Sequence, residues 1–125
     1  MKVLIVDDNA SYRQSLRELL SQQFQDLQIM EAESPKEALE QIENTVPDLL
    51  LIDIDLAGQS GLELTSKVRE ELQGASIAVI TSHDLPEFRQ AAQESGADHF
   101  FSKTTSEIED ILTWVEEASI KIPIP

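Results

Sequence analysis

The stretch Leu49-Leu50-Leu51-Ile52-Asp53 is a run of four apolar residues that ends in a carboxylate. A short apolar run without alternation is typical of a parallel β-strand that is covered on both faces. Residues 2–6 and 77–81 have the same near-continuous apolar character, whereas residues 28–32 alternate more, as an edge strand does. With one further segment near the C-terminus, the sequence predicts strands at residues 2–6, 28–32, 49–52, 77–81 and 98–101.

Helix-sized segments with apolar residues at helical spacing separate these strands. The apolar faces comprise Tyr12, Leu16, Leu19, Leu20 and Phe24 in the first segment, Leu62, Thr65, Val68 and Leu72 in the third, and Ile108, Ile111, Leu112 and Val115 in the last. Ser34-Pro35-Lys36-Glu37 is a capping box with proline at the first helical position, and residues 84–87 and 104–107 predict similar caps. Gly74 and Gly96 stand where helices are expected to end.

The regular alternation of strands and helices predicts right-handed crossovers and a parallel sheet. The chain has 125 residues, the usual size of a single domain. We therefore expect one doubly wound α/β domain over residues 1–119. Residues 120–125 contain two prolines and are predicted to be a loose tail or the start of a linker.

Composition and charge argue against several classes of function. The chain has 24 acidic and 9 basic residues, a net charge of −15, so nucleic acids and anionic membranes should repel it. It contains no cysteine, which excludes disulfides and thiolate metal sites within this sequence. No apolar run approaches the roughly 20 residues that span a bilayer, and the first residues lack a signal-peptide pattern. We expect a cytoplasmic protein that binds a metal cation or a basic partner surface.

Polar residues follow four of the five predicted strands. Asp7 and Asp8 come after the first strand, Asp53 ends the third, Thr81 ends the fourth, and Lys103 follows the fifth. In an open α/β sheet, ligands bind beyond the carboxyl ends of the strands. The fold should therefore collect these side chains at one edge.

Each side chain in this set suits phosphoryl transfer. Three neighbouring carboxylates repel one another unless a cation lies between them, and Mg²⁺ is the usual divalent ion at such oxygen ligands. A carboxylate can act as a nucleophile and form an aspartyl-phosphate. Phosphoryl transfer needs positioning and charge neutralisation, which Mg²⁺, a lysine and a hydroxyl supply.

Taken singly, the same residues have ordinary structural interpretations. An Asp-Asp pair after a strand often caps a helix, Asp53 could be a solvated loop residue, Thr81 a structural hydroxyl, and Lys103 a surface lysine. A coincidence of all five at one sheet edge is much less probable than a site. The hypothesis of a site therefore depends on the set.

Longer motifs make the sequence resemble the response regulator receiver domains over essentially its whole length. The matching stretches are residues 1–9 (MKVLIVDDN), 49–53 (LLLID), 53–61 (DIDLAGQSG), 77–82 (IAVITS) and 96–103 (GADHFFSK). The resemblance implies a flavodoxin-like sheet of five parallel strands in the order 2-1-3-4-5, with helices on both faces.

The resemblance also implies a role for each site residue. Asp53 would accept a phosphoryl group from a phosphohistidine. Asp8, Asp53 and the backbone carbonyl of Asp55 would bind Mg²⁺ directly, while Asp7 would act through water. Lys103 and Thr81 would contact the phosphoryl oxygens.

Three further residues take their expected roles from the same family. Phe100 occupies the position of the aromatic switch that is coupled to Thr81. Ser82 is small, which leaves the phosphoryl group room, and His83 flanks the site. The usual prolines of the family are replaced by Ala57 in the loop after Asp53 and by Thr104 after Lys103.

The implied partners are a sensor histidine kinase or a histidine phosphotransfer protein. An output domain or target would bind the face formed by the fourth helix, fifth strand and fifth helix, and a phosphorylation-dependent homodimer is a further alternative. The protein would catalyse only its own modification and hydrolysis, without acting as an enzyme on free substrates.

Three alternatives have less support in the sequence. Asp53-Ile54-Asp55 also resembles the nucleophile motif of haloacid-dehalogenase-type phosphatases, but the Asp7-Asp8 pair would have no role there. A degenerate receiver that only binds partners is disfavoured by the complete set of site residues. A dinucleotide-binding domain is disfavoured because no glycine-rich fingerprint follows the first strand.

Overall fold

The computed structural model describes residues 1–104, 106 and 108–120. The strands are β1 (Lys2–Val6), β2 (Gln28–Ala32), β3 (Leu49–Asp53), β4 (Asp55–Leu56), β5 (Gln59–Ser60), β6 (Ser76–Thr81) and β7 (His99–Ser102). The helices are α1 (Ala10–Gln23), α2 (Pro35–Asn44), α3 (Gly61–Glu71), α4 (Pro86–Glu94) and α5 (Ile108–Ile120).

Five strands form one parallel sheet in the order β2-β1-β3-β6-β7. Since β6 and β7 are the fourth and fifth strands of this sheet, the order 2-1-3-4-5 is confirmed. β2 lies at an edge, as its alternating pattern predicted. The short β4–β5 hairpin was not predicted, because strands of two residues have no readable periodicity.

The central strands bury side chains on both faces of the sheet. On one face, Ile5 and Leu51 pack with α1 and α5 through Leu16 and Val115. On the other face, alternate strand residues such as Leu4 and Leu50 pack with α2 and α3, whose buried residues include Ala38, Ile42, Leu64 and Val68. This two-sided burial explains why the sequences of β1, β3 and β6 are almost continuously apolar.

The strand bounds differ from the predicted ones by one residue in four places. Asp53 belongs to β3, and β6 begins at Ser76. The fifth strand begins at His99 rather than Asp98 and ends at Ser102 rather than Phe101. The Asp98 carboxylate accepts hydrogen bonds from Ile77 N and Arg69 Nη2, both at 2.8 Å, so this residue closes the turn before the strand.

The N-terminal caps predicted for the helices are confirmed only in part. Ser34 Oγ accepts a hydrogen bond from Glu37 N at 3.2 Å with Pro35 in the first turn, so this cap is confirmed. The cap predicted at Asp84 is wrong: Leu85 is the N-cap residue and makes no side-chain cap bond, whereas Asp84 pairs with Arg89. The cap predicted for α5 includes Thr105 and Glu107, which lie outside the described residues.

Helix ends follow the glycines more loosely. Gly96 directly follows Ser95, the C-cap of α4, and has a φ of +101°. This is the left-handed backbone conformation that glycine commonly adopts just after the end of a helix. α3 ends at Glu71, three residues before Gly74. α5 includes Ile120, which had been assigned to the tail, and the rest of that segment lies outside the described residues.

None of the helices in the described part of the chain combines the length and apolar character needed to cross a lipid bilayer.

Candidate functional site

The carboxyl edge of the sheet brings together side chains that are remote in the sequence. Asp7 directly follows β1, Asp53 is the last residue of β3, Thr81 is the last of β6, and Lys103 directly follows β7. β1 and β6 each pair with β3, and Asp53 stands beside Ile80 in the β3–β6 register. The parallel register therefore places these four residues at the same edge.

Lys103 connects the two buried carboxylates of this edge. Its Nζ lies 2.8 Å from Asp7 Oδ2 and 3.2 Å from Asp53 Oδ2. Its backbone N–H donates to the carbonyl oxygen of Thr81 at 2.7 Å, which fixes the base of the side chain. Asp7 and Asp53 are 2% and 7% exposed, so the ion pairs lie largely away from water. An ammonium held in this way can stabilise negative charge that develops beside Asp53.

The three acidic residues of the edge form a cluster of oxygen donors. Carboxylate oxygens of Asp7, Asp8 and Asp53 all lie within 4.8 Å of one another. Asp8 is exposed, which leaves one side of the cluster open to solvent. A set of hard oxygen donors with an open side fits Mg²⁺, which retains several water ligands when it binds proteins.

Asn9, rather than either aspartate before it, caps the first helix. Asn9 Oδ1 accepts a hydrogen bond from Tyr12 N at 3.1 Å. Asp7 Oδ1 accepts from Asn9 N at 2.8 Å, which orients the buried carboxylate. The interpretation of the Asp-Asp pair as a simple helix cap is therefore wrong.

The pKa of Asp53 is raised from its ordinary value of 3.8 to about 6. Burial is the largest cause and the negative charge of Asp7 is the second, whereas Lys103 and the hydrogen bond from Asp55 N oppose the rise. Burial is the largest single influence on the pKa of Lys103 and lowers it, but the hydrogen bonds to Asp7 and Asp53 and the charges of both carboxylates together outweigh burial, so that the pKa is raised. Asp53 is thus predominantly ionised at neutral pH, as a nucleophilic carboxylate must be.

The loop after Asp53 folds back onto the backbone of Asp53 so closely that one position requires glycine. A Cβ atom at Gly61 would lie 1.9 Å from the backbone oxygen of Asp53. The Gly61 N–H donates to Ile54 O at 2.7 Å, and Asp55 N donates to Asp53 Oδ1 at 3.2 Å. Asp55 itself is exposed and pairs with Ser60 in the β4–β5 hairpin. The sequence motif contained Gly61 but did not reveal this contact.

Thr81 is fully buried at the end of β6, and its Oγ1 accepts a hydrogen bond from His83 N at 3.0 Å. Ser82 and His83 are exposed at the start of the following loop. The His83 ring lies 6.4 Å from the ring of Phe88 in α4. The loop therefore links the end of β6 to the first turn of α4.

Phe100 lies on β7 beside α4 and is half-buried. The guanidinium of Arg89 lies 4.7 Å from the centroid of its ring, and Arg89 also forms a paired hydrogen bond with Asp84 at 2.8 and 3.1 Å. Phe100 borders two surface depressions with volumes of 310 and 440 Å³. Arg89 and His99 border both depressions as well.

Two residues that contact the acidic edge were not predicted to do so. Arg13 donates to the backbone oxygen of Asp7 and, from Nε, to Glu31 Oε1 at 2.9 Å. Tyr12 had been assigned to helix packing, but its ring also lies against Lys103. Neither contact has a signal in the spacing of the sequence, because each depends on the rotation of α1 over the sheet.

Comparison with known proteins agrees with this arrangement. The family model of the response regulator receiver domain matches residues 3–116. Because that match covers most of the chain, the protein belongs to the response regulator receiver domain family. Receiver domains of this family are found in two-component response regulators.

Individual relatives differ in how much of their length is matched. The chain is 36% identical over 118 residues to the chemotaxis protein CheY of Halobacterium salinarum, covering 90% of this chain and 97% of that one. It is 34% identical over 106 residues to the transcriptional activator protein ExaE of Pseudomonas putida, covering 85% of this chain and 50% of that one. The chain thus spans about half the length of some curated relatives and nearly all of another.

A solved structure shows the same fold. The response regulator receiver domain protein (CheY-like) from Methanospirillum hungatei JF-1 superposes with a TM-score of 0.84 and 28% sequence identity, covering 93% of this chain and 90% of that chain. The family and the fold inferred from the sequence are therefore confirmed.

Proposed function

We propose that this receiver domain accepts a phosphoryl group on Asp53 in a Mg²⁺-dependent reaction. The observation that carries the proposal is the contact of Lys103 Nζ with both Asp53 and Asp7, inside a cluster of carboxylates that suits a divalent cation. The donor would be a phosphohistidine on a histidine kinase or a histidine phosphotransfer protein. Asp53 Oδ would attack phosphorus, the bond from phosphorus to the histidine nitrogen would break, and the nitrogen would leave with its electron pair.

The residues around Asp53 would divide the work of neutralising charge. Asp8, Asp53 and the backbone carbonyl of Asp55 would hold Mg²⁺ directly, and Asp7 would act through water. When bound, the ion would offset the repulsion among the carboxylates and the phosphoryl oxygens. Lys103 would provide a positive charge for one phosphoryl oxygen, and the Thr81 hydroxyl would provide a hydrogen bond for another.

The acceptor can be tested with acetyl phosphate as a small donor. The protein is incubated with acetyl phosphate and Mg²⁺, and phosphopeptides are located by mass spectrometry. We expect one phosphoryl group on Asp53, none in the Asp53→Ala variant, and none when EDTA replaces Mg²⁺. Asp55→Asn is the matched control, since it removes a neighbouring carboxylate and keeps the backbone carbonyl. Unchanged labelling of Asp53→Ala would refute the proposal.

The phosphatase alternative has less support at this site. In that alternative the Asp55 carboxylate would be the general acid, but Asp55 is exposed in β4, and its backbone N–H donates to Asp53. The same preparation should therefore give no sustained turnover of p-nitrophenyl phosphate. Many turnovers per protein molecule would favour the phosphatase.

The output would be transmitted through the α4–β7–α5 face, which comprises α4, β7 and α5 with Phe100 at its centre. A phosphoryl group that draws the Thr81 hydroxyl toward itself would remove the bond from His83 N. The same loop contains Asp84, which pairs with Arg89, and Arg89 covers Phe100. A chain of contacts therefore runs from the acceptor edge to the half-buried Phe100.

The partner of this face would be an output domain, a target protein or a second copy of the chain. Receiver domains interact with histidine kinases and output domains, and several relatives that match over only half their length are named as regulators of transcription or response. We propose that residues 1–119 form the receiver and that the last residues begin a tail or linker. We also propose a cytoplasmic location.

A further inference from the structure

The side chain of Tyr12 lies over the ammonium of Lys103. The distance from Lys103 Nζ to the centroid of the Tyr12 ring is 4.1 Å. A cation within about 6 Å of the face of an aromatic ring is attracted by the ring quadrupole. Tyr12 is in the first turn of α1, and the Asn9 cap, directly after the acidic pair, binds its backbone N–H. The cap that starts the helix therefore also places the ring at the acceptor edge.

The residue directly after Lys103 is not the proline that is usual in the family. Thr104 occupies that position, and its Oγ1 lies 2.9 Å from Ser102 Oγ. Ser106 Oγ accepts a hydrogen bond from Ser102 N at 3.0 Å. These bonds shape the backbone of the turn, but they leave the flexible four-carbon side chain of Lys103 to be directed by other groups.

The ring is suited to direct this ammonium without neutralising it. A lysine ammonium has three N–H donors, and Asp7 and Asp53 each accept from it. A third carboxylate would compete with incoming phosphoryl oxygens for the positive charge. A neutral aromatic face restricts the direction of the ammonium and keeps its charge available.

We propose that Tyr12 is a positioning residue that holds the Lys103 ammonium toward the acceptor through the face of its ring. The inference rests on the proposed function, in which Lys103 contacts the phosphoryl group on Asp53. The ordinary alternative is that Tyr12 only fills space beside the hydrophobic core, against which it packs. Filling space requires apolar volume, whereas attraction of a cation requires an aromatic ring.

A pair of substitutions separates the two roles. Tyr12→Phe keeps the ring, and Tyr12→Leu keeps apolar volume without it. We expect the rate of Asp53 phosphorylation by acetyl phosphate to stay within about twofold in the phenylalanine variant and to fall about fivefold in the leucine variant, as loss of a cation–π contact predicts. Urea denaturation checks that both variants are folded, and Tyr12→Met replaces the leucine variant if that one is not.

A spectroscopic readout reports the contact itself. In ¹H–¹³C spectra, the ε-methylene protons of Lys103 should be shifted upfield by the Tyr12 ring current. The shift should persist in Tyr12→Phe and disappear in Tyr12→Leu, and Tyr12→Leu should have no further effect on the phosphorylation rate in a Lys103→Met background.

Three results would overturn the inference. They are a wild-type rate in folded Tyr12→Leu, an equal loss of rate in the Lys103→Met background, and the absence of an upfield shift in the wild type. Failure of the proposed function has a different signature, since Asp53 would then stay unlabelled in the wild type while the ring-current shift persisted.

Discussion

Asp53 is surrounded by groups that act on its charge in opposite directions. Burial and the charge of Asp7 disfavour the carboxylate, while Lys103 and Asp55 N favour it. The balance raises the pKa of Asp53 to about 6. Asp53 and Asp7 therefore repel each other in a way that a bound cation can relieve.

This raised pKa predicts how stability depends on pH without metal. The folded protein binds a proton at Asp53 up to about pH 6, whereas the unfolded chain has lost that proton above about pH 4. The stabilisation from this proton is fully present below about pH 4 and is lost as the pH rises through about 6.

Urea denaturation in EDTA at about pH 5 and about pH 7 measures this contribution. The free energy of unfolding of the wild type should fall more between these values than that of Asp53→Asn, which cannot titrate. Parallel pH profiles of the two proteins would show that Asp53 has an ordinary pKa.

Gly61 gives a second prediction at the scale of one residue. A methyl group at this position would meet the backbone oxygen of Asp53 at 1.9 Å. Gly61→Ala should therefore destabilise the protein by about 1–3 kcal/mol and displace the acceptor, which lowers its phosphorylation rate. Gly74→Ala is the matched control, since a Cβ there meets no atom within 4 Å. Equal stability and labelling of the two variants would contradict the close approach.

Some contacts of the acceptor site could be predicted from the sequence, and others could not. Asp7, Asp53, Thr81 and Lys103 could be predicted because each ends or follows a strand, and parallel strands end at one edge. The contact of Tyr12 with Lys103 could not, because it depends on the packing angle of α1. The site was thus predictable where the backbone topology alone determines proximity.

Among the elements, the β4–β5 hairpin shows a clear departure from the usual family sequence. Ala57 and Gly58 form its two-residue turn with φ values of +51° and +84°. Positive φ at both central residues is the requirement of a type I′ turn, which prefers Asn-Gly. Proline fixes φ near −65°, so the proline that is usual in the family cannot occupy this conformation.

Two substitutions at Ala57 test this turn. Ala57→Asn should raise the free energy of unfolding by a few tenths of a kcal/mol to about 1 kcal/mol, because asparagine tolerates positive φ. Ala57→Pro should lower it by more than about 1 kcal/mol. Chemical denaturation of the wild type and both variants measures these differences in the free energy of unfolding. A proline variant as stable as the wild type would mean that the turn has another conformation.

Long elements with strong patterns could be predicted, and local exceptions could not. The bounds of β1 and β2 agree with prediction: β1 buries four of its five residues, whereas β2 buries only Ala32 and was recognised by its more alternating sequence. The cap expected at Asp84 failed because its carboxylate pairs with Arg89, five residues further along the chain. Sequence patterns thus predict an element, but side-chain pairings that the patterns do not reveal determine where it begins.

Across the whole molecule, the net charge of −15 adds to the electrostatic repulsion among the carboxylates of the acidic edge, and this repulsion destabilises the metal-free fold. Asp8 is exposed and does not cap α1. Asp8→Asn should therefore leave the melting temperature of the metal-free protein unchanged or higher, while the stabilisation of the wild type by Mg²⁺ should be lost. Thermal melts with and without Mg²⁺ measure both effects.

Asp26→Asn provides the control for charge alone, since Asp26 is exposed between α1 and β2, away from the acidic edge. This variant should keep the Mg²⁺ effect. A marked fall in the melting temperature of metal-free Asp8→Asn would indicate that Asp8 has mainly a structural role.

We propose that loading of Asp53 is transmitted to the α4–β7–α5 face. The contacts that carry it run from Thr81 through His83 and the Asp84–Arg89 pair to Phe100. A phosphoryl group can act as a switch only if it binds two conformations with different affinity. We therefore expect Thr81 to exchange its hydrogen bond with His83 N for one with the phosphoryl group when Asp53 is loaded.

Amide NMR with Mg²⁺, before and after addition of the phosphoryl mimic beryllofluoride, tests this claim most directly. We predict shift changes at Asp8, Asp53 and Thr81 together with changes through α4, at Phe100 and into α5, and no changes in the Asp53→Ala variant. Shift changes confined to the loops around Asp8 and Asp53, with α4 through α5 unaffected, would show that the site is loaded without transmitting a signal through this face.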